Sequence, residues 1–90
     1  MKKKIFITGA EGFIGSHITE KLLTLGYKVT ALVLYNFTGD IGNLKYISKN
    51  KLKKLNIIFG DISDPETYYE NLKKTNIVIN LASLISIPYS

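Results

Sequence analysis

Cysteine and tryptophan are both missing from this 90-residue chain, arginine is absent from its twelve basic residues, histidine occurs once and proline twice. Without thiols neither a disulfide nor a thiolate metal site can staple the fold, and His17 alone cannot build a zinc site. No metal is expected, and stability must come from packing. The scarcity of proline, with 46% hydrophobic and 21% charged residues, excludes a disordered chain. No run approaches the roughly 18 apolar residues of a membrane span. The start, Met1-Lys2-Lys3-Lys4-Ile5-Phe6-Ile7, mimics the basic end of a signal peptide, but three apolar residues fall short of the roughly 7 to 15 that one needs. The reading is a cytoplasmic protein without membrane contact. Its length is below the roughly 100 to 200 residues of a full domain, so the chain is one small domain or a piece of one. Such a chain hides only roughly 60 to 65% of the surface its unfolded form exposes.

The net charge of +5 is unevenly spread. Through Gly60 ten lysines face three acids; from Asp61 onward two lysines face four acids. The basic part, with Lys45, Lys49, Lys51, Lys53 and Lys54, raises the question of nucleic acid. Bidentate guanine readout favours arginine, however, and beyond Tyr46 no aromatic platform is interleaved. A solvated lysine-rich connection is the better reading, with no nucleic-acid partner.

Along the chain, short β-branched runs alternate with stretches of helical spacing, the pattern of βαβ units and a parallel sheet. Lys4 to Thr8, with Ile5, Phe6 and Ile7 consecutive, reads as a strand covered on both faces. Phe13 to Leu25 reads as a helix whose buried stripe is Ile14, Ile18, Leu22 and Leu25. Gly26 ends it as a left-handed C′ residue. Tyr27 to Leu34 is a second strand. From Tyr35 to Leu55 turn formers dominate, and Ile41, Leu44 and Ile47 offer a short helix at best. A third strand, Asn56 to Phe59, ends at Gly60-Asp61. Asp64 as N-cap, Pro65 at the first helical position and Glu66 in the first turn then predict a helix through about Lys73. Asn76 to Ala82 is the fourth strand.

Thr8-Gly9-Ala10-Glu11-Gly12-Phe13-Ile14-Gly15 lies between the first strand and the first helix. Phosphates at a helix N-terminus meet unpaired backbone N–H groups and the positive end of the helix dipole, and side chains would block their approach. Gly9 therefore permits the tight turn, Gly12 lets the backbone come close to a pyrophosphate, and Gly15 lets the helix pack tightly on the strand. Glycine turns also occur without ligands. Here a strand before, a helix after and a second strand ending about twenty residues past Gly15 reproduce the dinucleotide-binding arrangement.

These residues resemble the cofactor motif of the extended short-chain dehydrogenase/reductase family, the NAD-dependent nucleotide-sugar epimerases and 4,6-dehydratases. Gly60-Asp61-Ile62-Ser63-Asp64 is similar to the segment after the third strand, which implies that Asp61 bonds the adenine amino group and Ile62 packs on the ring. Asn80-Leu81-Ala82-Ser83 resembles the segment after the fourth strand, placing Leu81, Ala82 and Ser83 beside the nicotinamide half. The tail, Leu84 to Ser90, together with Ala31-Leu32-Val33-Leu34-Tyr35-Asn36, looks closest to the dehydratases that act on GDP-N-acetylglucosamine in legionaminic acid synthesis. The implied cofactor residues are Gly9, Glu11, Gly12, Phe13, Ile14, Gly15, Tyr35, Asn36, Asp61, Ile62, Leu81, Ala82 and Ser83. The implied fold is α/β: the N-terminal half of a Rossmann fold, a parallel sheet of about four strands in the order 3-2-1-4 with helices on both faces.

The sequence departs from the family in two ways. Tyr35-Asn36 stands where an acid often meets the ribose, and no cation lies in that turn to pair a 2′-phosphate, so NAD is expected over NADP. The family also continues with a catalytic threonine or serine and a Tyr-x-x-x-Lys pair. No residue here receives a catalytic role; Tyr69-Glu70-Asn71-Leu72-Lys73 has that spacing but precedes the fourth strand. Residues 1–90 are thus expected to be an NAD(P)-binding domain incomplete on its C-terminal side, inactive alone. Its substrate would be a nucleotide sugar and its homodimer a property of the full-length protein. The rival reading is a non-catalytic nucleotide-binding module or truncated remnant.

Overall fold

The computed structural model describes residues 3–34, 38–61 and 63–81. Four parallel strands, β1 (Lys4–Thr8), β2 (Lys28–Leu34), β3 (Asn56–Gly60) and β4 (Ile77–Asn80), form one sheet in the order β3-β2-β1-β4, as expected. Ile5, Phe6 and Ile7 are all buried, which the run of consecutive apolar residues required of a strand covered on both faces. In parallel register Ile7 stands beside Ala31 and Ile79. That face carries the main core of Ile7, Val29, Ala31 and Val33 under Leu23, Leu44, Ile47 and Leu55. The opposite face, which holds Phe6, receives the ring of Tyr68 at 5.6 Å between centroids. The crossover after β3 therefore runs over the face that the earlier connections leave open.

Helix α1 spans Phe13–Thr24, and its buried residues are Gly15, Ser16, Thr19 and Leu23. This corrects the expected stripe. Ile14 is 63% exposed and Leu25 49% exposed, while Ile18 and Leu22 flank the core partly buried. The phase is set by the close approach at Gly15, where an added methyl would collide with the Gly9 carbonyl oxygen and stand 2.9 Å from the Ala10 Cα. Small residues then suit the closest contact, and their hydroxyls find partners within the helix. Thr19 Oγ1 donates to the Gly15 carbonyl at 2.7 Å, and Ser16 Oγ to that of Phe13 at 2.9 Å. The helix ends in a Schellman motif: Gly26, at φ 91°, donates to the Leu23 carbonyl and Tyr27 to that of Leu22.

Between β2 and β3 lie a 3₁₀ turn, Gly42–Tyr46, and a one-turn helix, α2 (Lys49–Leu52). Despite the weak sequence signal, Leu44 and Ile47 are buried in the core, 0% and 4% exposed. The helix expected from Asp64 through Lys73 is broken in two. Pro65–Thr67 forms a 3₁₀ turn, α3 covers only Tyr69–Lys73, and the Asp64 side chain caps neither. The break falls at Tyr68, whose φ of −137° is not helical and whose ring turns onto Phe6. β4 is shorter than the expected Asn76 to Ala82, whose last residue lies outside the described ones, and Asn76 clamps its start: its N–H donates to the Lys4 carbonyl, and its Oδ1 accepts from the Lys4 N–H, both at 2.9 Å. No helix among the described residues is long and apolar enough to cross a membrane.

Candidate functional site

The carboxyl ends of β1 and β4 meet at the point where the chain reverses its progress across the sheet, the place where open α/β sheets leave a crevice. Two contacts hold this junction. Thr8 Oγ1 donates to Asn80 Oδ1 at 2.6 Å, and the Leu81 N–H donates to the Thr8 carbonyl at 3.0 Å. Leu81 thus stands beside the start of the glycine turn. Of the other residues expected there, Ala82 and Ser83 lie outside the described residues, as do Tyr35, Asn36 and Ile62.

The three glycines of the turn prove to have different reasons for being glycine. Gly9 sits at φ 77°, which side chains resist. Gly15 is required by the collision described above. Gly12 is required by neither: its backbone, φ −74° and ψ 171°, suits any residue, and a methyl there would find only the Gly9 carbonyl oxygen, at an ordinary 3.5 Å. What a side chain at Gly12 would occupy is the space in front of α1.

That helix end is open in electrical terms as well. Gly12 as N-cap offers no side-chain acceptor, and the first turn holds no acid. The first intrahelical bond runs from Ser16 N–H to the Gly12 carbonyl at 2.9 Å, leaving the N–H groups of Phe13, Ile14 and Gly15 without an intrahelical acceptor. Phe13, 70% exposed, and Ile14 form an apolar lip beside these donors. His17 is exposed, its ring tilted against that of Phe13 at 4.6 Å between centroids, and it donates from Nδ1 to the Phe13 carbonyl at 2.8 Å. Its ring is thereby tied to Phe13.

Glu11 does something that its sequence position did not suggest. Its carbonyl accepts from the Asn43 N–H at 2.9 Å, and Gly42, at φ 59°, approaches so closely that a Cβ there would lie 2.8 Å from the Glu11 carbonyl oxygen. Its side chain reaches across to β2, where Oε2 accepts a long hydrogen bond, 3.5 Å, from the Leu34 N–H. Oε1 is buried and has no hydrogen-bond partner among the described residues. The available signal was Gly42-Asn43, a turn pair whose partner the sequence could not name.

Asp61, past the end of β3, is exposed and closes a turn. Oδ1 accepts from the Ser63 N–H at 2.9 Å and from the Ser63 hydroxyl at 2.7 Å. The backbone bond first and the hydroxyl bond second hold its carboxyl below the ordinary 3.8. Tyr69 lies away from these groups on α3, with Lys73 Nζ 5.3 Å from its ring centre and bridged to Glu70 at 3.6 Å. A groove of about 670 Å³ is at the amino ends of the strands, lined by Lys4, Lys28, Lys54, Asn71 and Lys74 among others. Size alone would favour it, but the glycine turn and the unpaired helix donors are at the opposite edge, and ligands of open α/β sheets bind outside the carboxyl ends.

Comparison with known proteins agrees with this geometry. The family model for GDP-mannose 4,6 dehydratase matches residues 6–90. A UDP-N-acetyl-α-D-glucosaminuronate decarboxylase of Bacillus cytotoxicus is 34% identical over 87 residues, 97% of this chain and 26% of that protein. Among solved structures, an isoflavone reductase superposes with a TM-score of 0.69 at 30% identity, covering 89% of this chain and 27% of its own. The protein AtPrR2, solved with NADP+ and (+)-pinoresinol, superposes at 0.68 and 21% identity over 89% of this chain and 26% of its own, a likeness of fold alone. The chain spans about a quarter of the length of the relatives it matches. With the glycine turn, the Gly60-Asp61 turn and the β1–β4 junction all in the sheet order that the resemblance implied, the chain belongs to the GDP-mannose 4,6 dehydratase family, within the extended short-chain dehydrogenase/reductases.

Proposed function

We propose that these residues are the NAD(P)-binding portion of a nucleotide-sugar 4,6-dehydratase or epimerase. Gly12 is the observation that carries this: its missing side chain serves neither the backbone nor the packing, and it clears the approach to three unpaired N–H donors. The residues present fit a dinucleotide. The N–H groups of Phe13, Ile14 and Gly15 hold the pyrophosphate, with the helix dipole adding about 0.3 to 2 kcal/mol per charge. Asp61, with Oδ1 engaged by Ser63, offers its other oxygen to the adenine amino group, and Leu81 borders the nicotinamide half. When bound, the nicotinamide supplies a hydride acceptor and donor for C4 of the sugar.

NAD rather than NADP is the proposed cofactor, since the sequence has no lysine between Lys28 and Lys45 to meet a 2′-phosphate and an unpaired phosphate would be desolvated there. AtPrR2, which shares the fold, was solved with NADP+, so the choice rests on individual side chains and not on the fold. The partner is a nucleotide sugar rather than nucleic acid, with a GDP-linked N-acetyl sugar the first to try. The homodimer and the cytoplasmic setting belong to the same proposal.

Gly12→Val tests the reading. Its backbone angles are ordinary and its surroundings open, so melting of the variant should match the parent. Calorimetric titration of the full chain with NAD should lose roughly a hundredfold or more in affinity. Unchanged affinity would refute the phosphate cradle.

A further inference from the structure

We infer that Glu11, on the glycine turn, supplies the carboxylate that reads the adenosine ribose, and that it selects the dinucleotide with a free 2′-hydroxyl over the 2′-phosphorylated one. The inference rests on the reading of α1 as a dinucleotide cradle and assigns within it a residue that the strand-end pattern does not. Three observations converge. First, the carboxylate is in place: from the turn it extends to the last residue of β2, with Oε2 3.5 Å from the Leu34 N–H. Second, it is held, because the Gly42-Asn43 turn closes on the Glu11 backbone through the 2.9 Å Asn43 bond and the close approach at Gly42. Third, it is unsatisfied. Among the described residues Oε1 is buried without a donor, an acceptor left open for one.

A ribose hydroxyl brings a donor to this oxygen, whereas a 2′-phosphate brings acceptors and like charge. The first acid after β2, Asp40, is directed into its own turn, where Oδ1 accepts from the Gly42 N–H at 2.8 Å. Glu11 therefore takes the part that Tyr35-Asn36 leaves without an acid, reaching the end of β2 from the first loop instead of from the second.

The experiment is calorimetric titration of the full chain, its Glu11→Gln and Glu11→Ala variants and Gly12→Val, each with NAD and with NADP, alongside thermal melting of the unliganded proteins. The parent should prefer NAD by tenfold or more. Both Glu11 variants should narrow that preference at least fivefold, chiefly through tighter NADP binding, with melting close to the parent's. A parent that prefers NADP, or variants whose preference is unchanged, would overturn the assignment even if Gly12→Val still abolishes binding. Changed melting with an unchanged preference would mean that Oε1 is served by water in a structural role, and would overturn it too. A parent that binds neither dinucleotide would instead remove the cradle reading beneath it.

Discussion

Side chains that look alike in the sequence separate once their surroundings are known. Gly9 answers to a backbone angle, Gly15 to a carbonyl oxygen against which no methyl fits, and Gly12 to neither. A motif written as three equal glycines is thus one turn, one contact and one vacated approach. Asp61 shows the same separation between type and circumstance. Its carboxyl is held below 3.8 by two bonds from Ser63, and a depressed value means that the charged form is favoured in the folded chain. The turn's contribution is therefore complete above about pH 4 and is lost as pH falls through the lowered value. Nuclear magnetic resonance titration should find Asp61 ionising below 3.8, and Ser63→Ala, which deletes the hydroxyl bond while keeping the backbone one, should raise it part of the way back. A value in the parent at or above the ordinary one would show that the turn does not form in solution.

At the scale of elements, periodicity locates a helix better than it phases one. Ile14, Ile18, Leu22 and Leu25 are spaced to share a face, yet α1 rests on Gly15, Thr19 and Leu23. Close contact with the Gly9-Ala10 backbone outranks the larger apolar side chains, which are then carried to the flanks or to the surface. Leu23→Ala should consequently cost about 2 to 5 kcal/mol in denaturant unfolding, as buried leucines do, whereas Ile14→Ala should stay within about 0.5 kcal/mol. The reverse ranking would restore the stripe suggested by spacing. The segment after β3 makes a parallel point. Asp64, Pro65 and Glu66 are sound start signals, but Tyr68 leaves helical angles to stack on Phe6, a packing gain that local propensity does not register.

For the whole molecule, the two ends of the sheet differ in character. The amino edge gathers Lys4, Lys28, Lys54 and Lys74 around its groove, while the carboxyl edge presents the glycine turn, Glu11 and the Thr8–Asn80 pair. Helix α3 runs toward the lysine edge, since Asn71, Lys74 and Thr75 line the groove with the first residues of β1 and β2. A catalytic acid or base must come within hydrogen-bond reach of the reacting hydroxyl. Tyr69, whose neighbour Tyr68 lies on the middle of β1, is aside from the carboxyl edge in spite of its Tyr-x-x-x-Lys spacing. In a full-length version carrying the proposed activity, Tyr69→Phe should change turnover of a nucleotide sugar by less than about twofold, and a hundredfold loss would relocate the site.

The sequence by itself determined the strand set, the parallel order, the glycine turn and the left-handed stop at Gly26. These follow from local rules: runs of β-branched residues, glycine where φ is positive, and crossovers of one hand. Only the tertiary structure decided which face of α1 is buried, that Leu44 and Ile47 belong to the core, and that Glu11 spans to Leu34 across 23 positions of chain. Those outcomes depend on which surfaces meet at closest range. Such meetings join residues far apart in sequence, where spacing along the chain carries no information about distance in space.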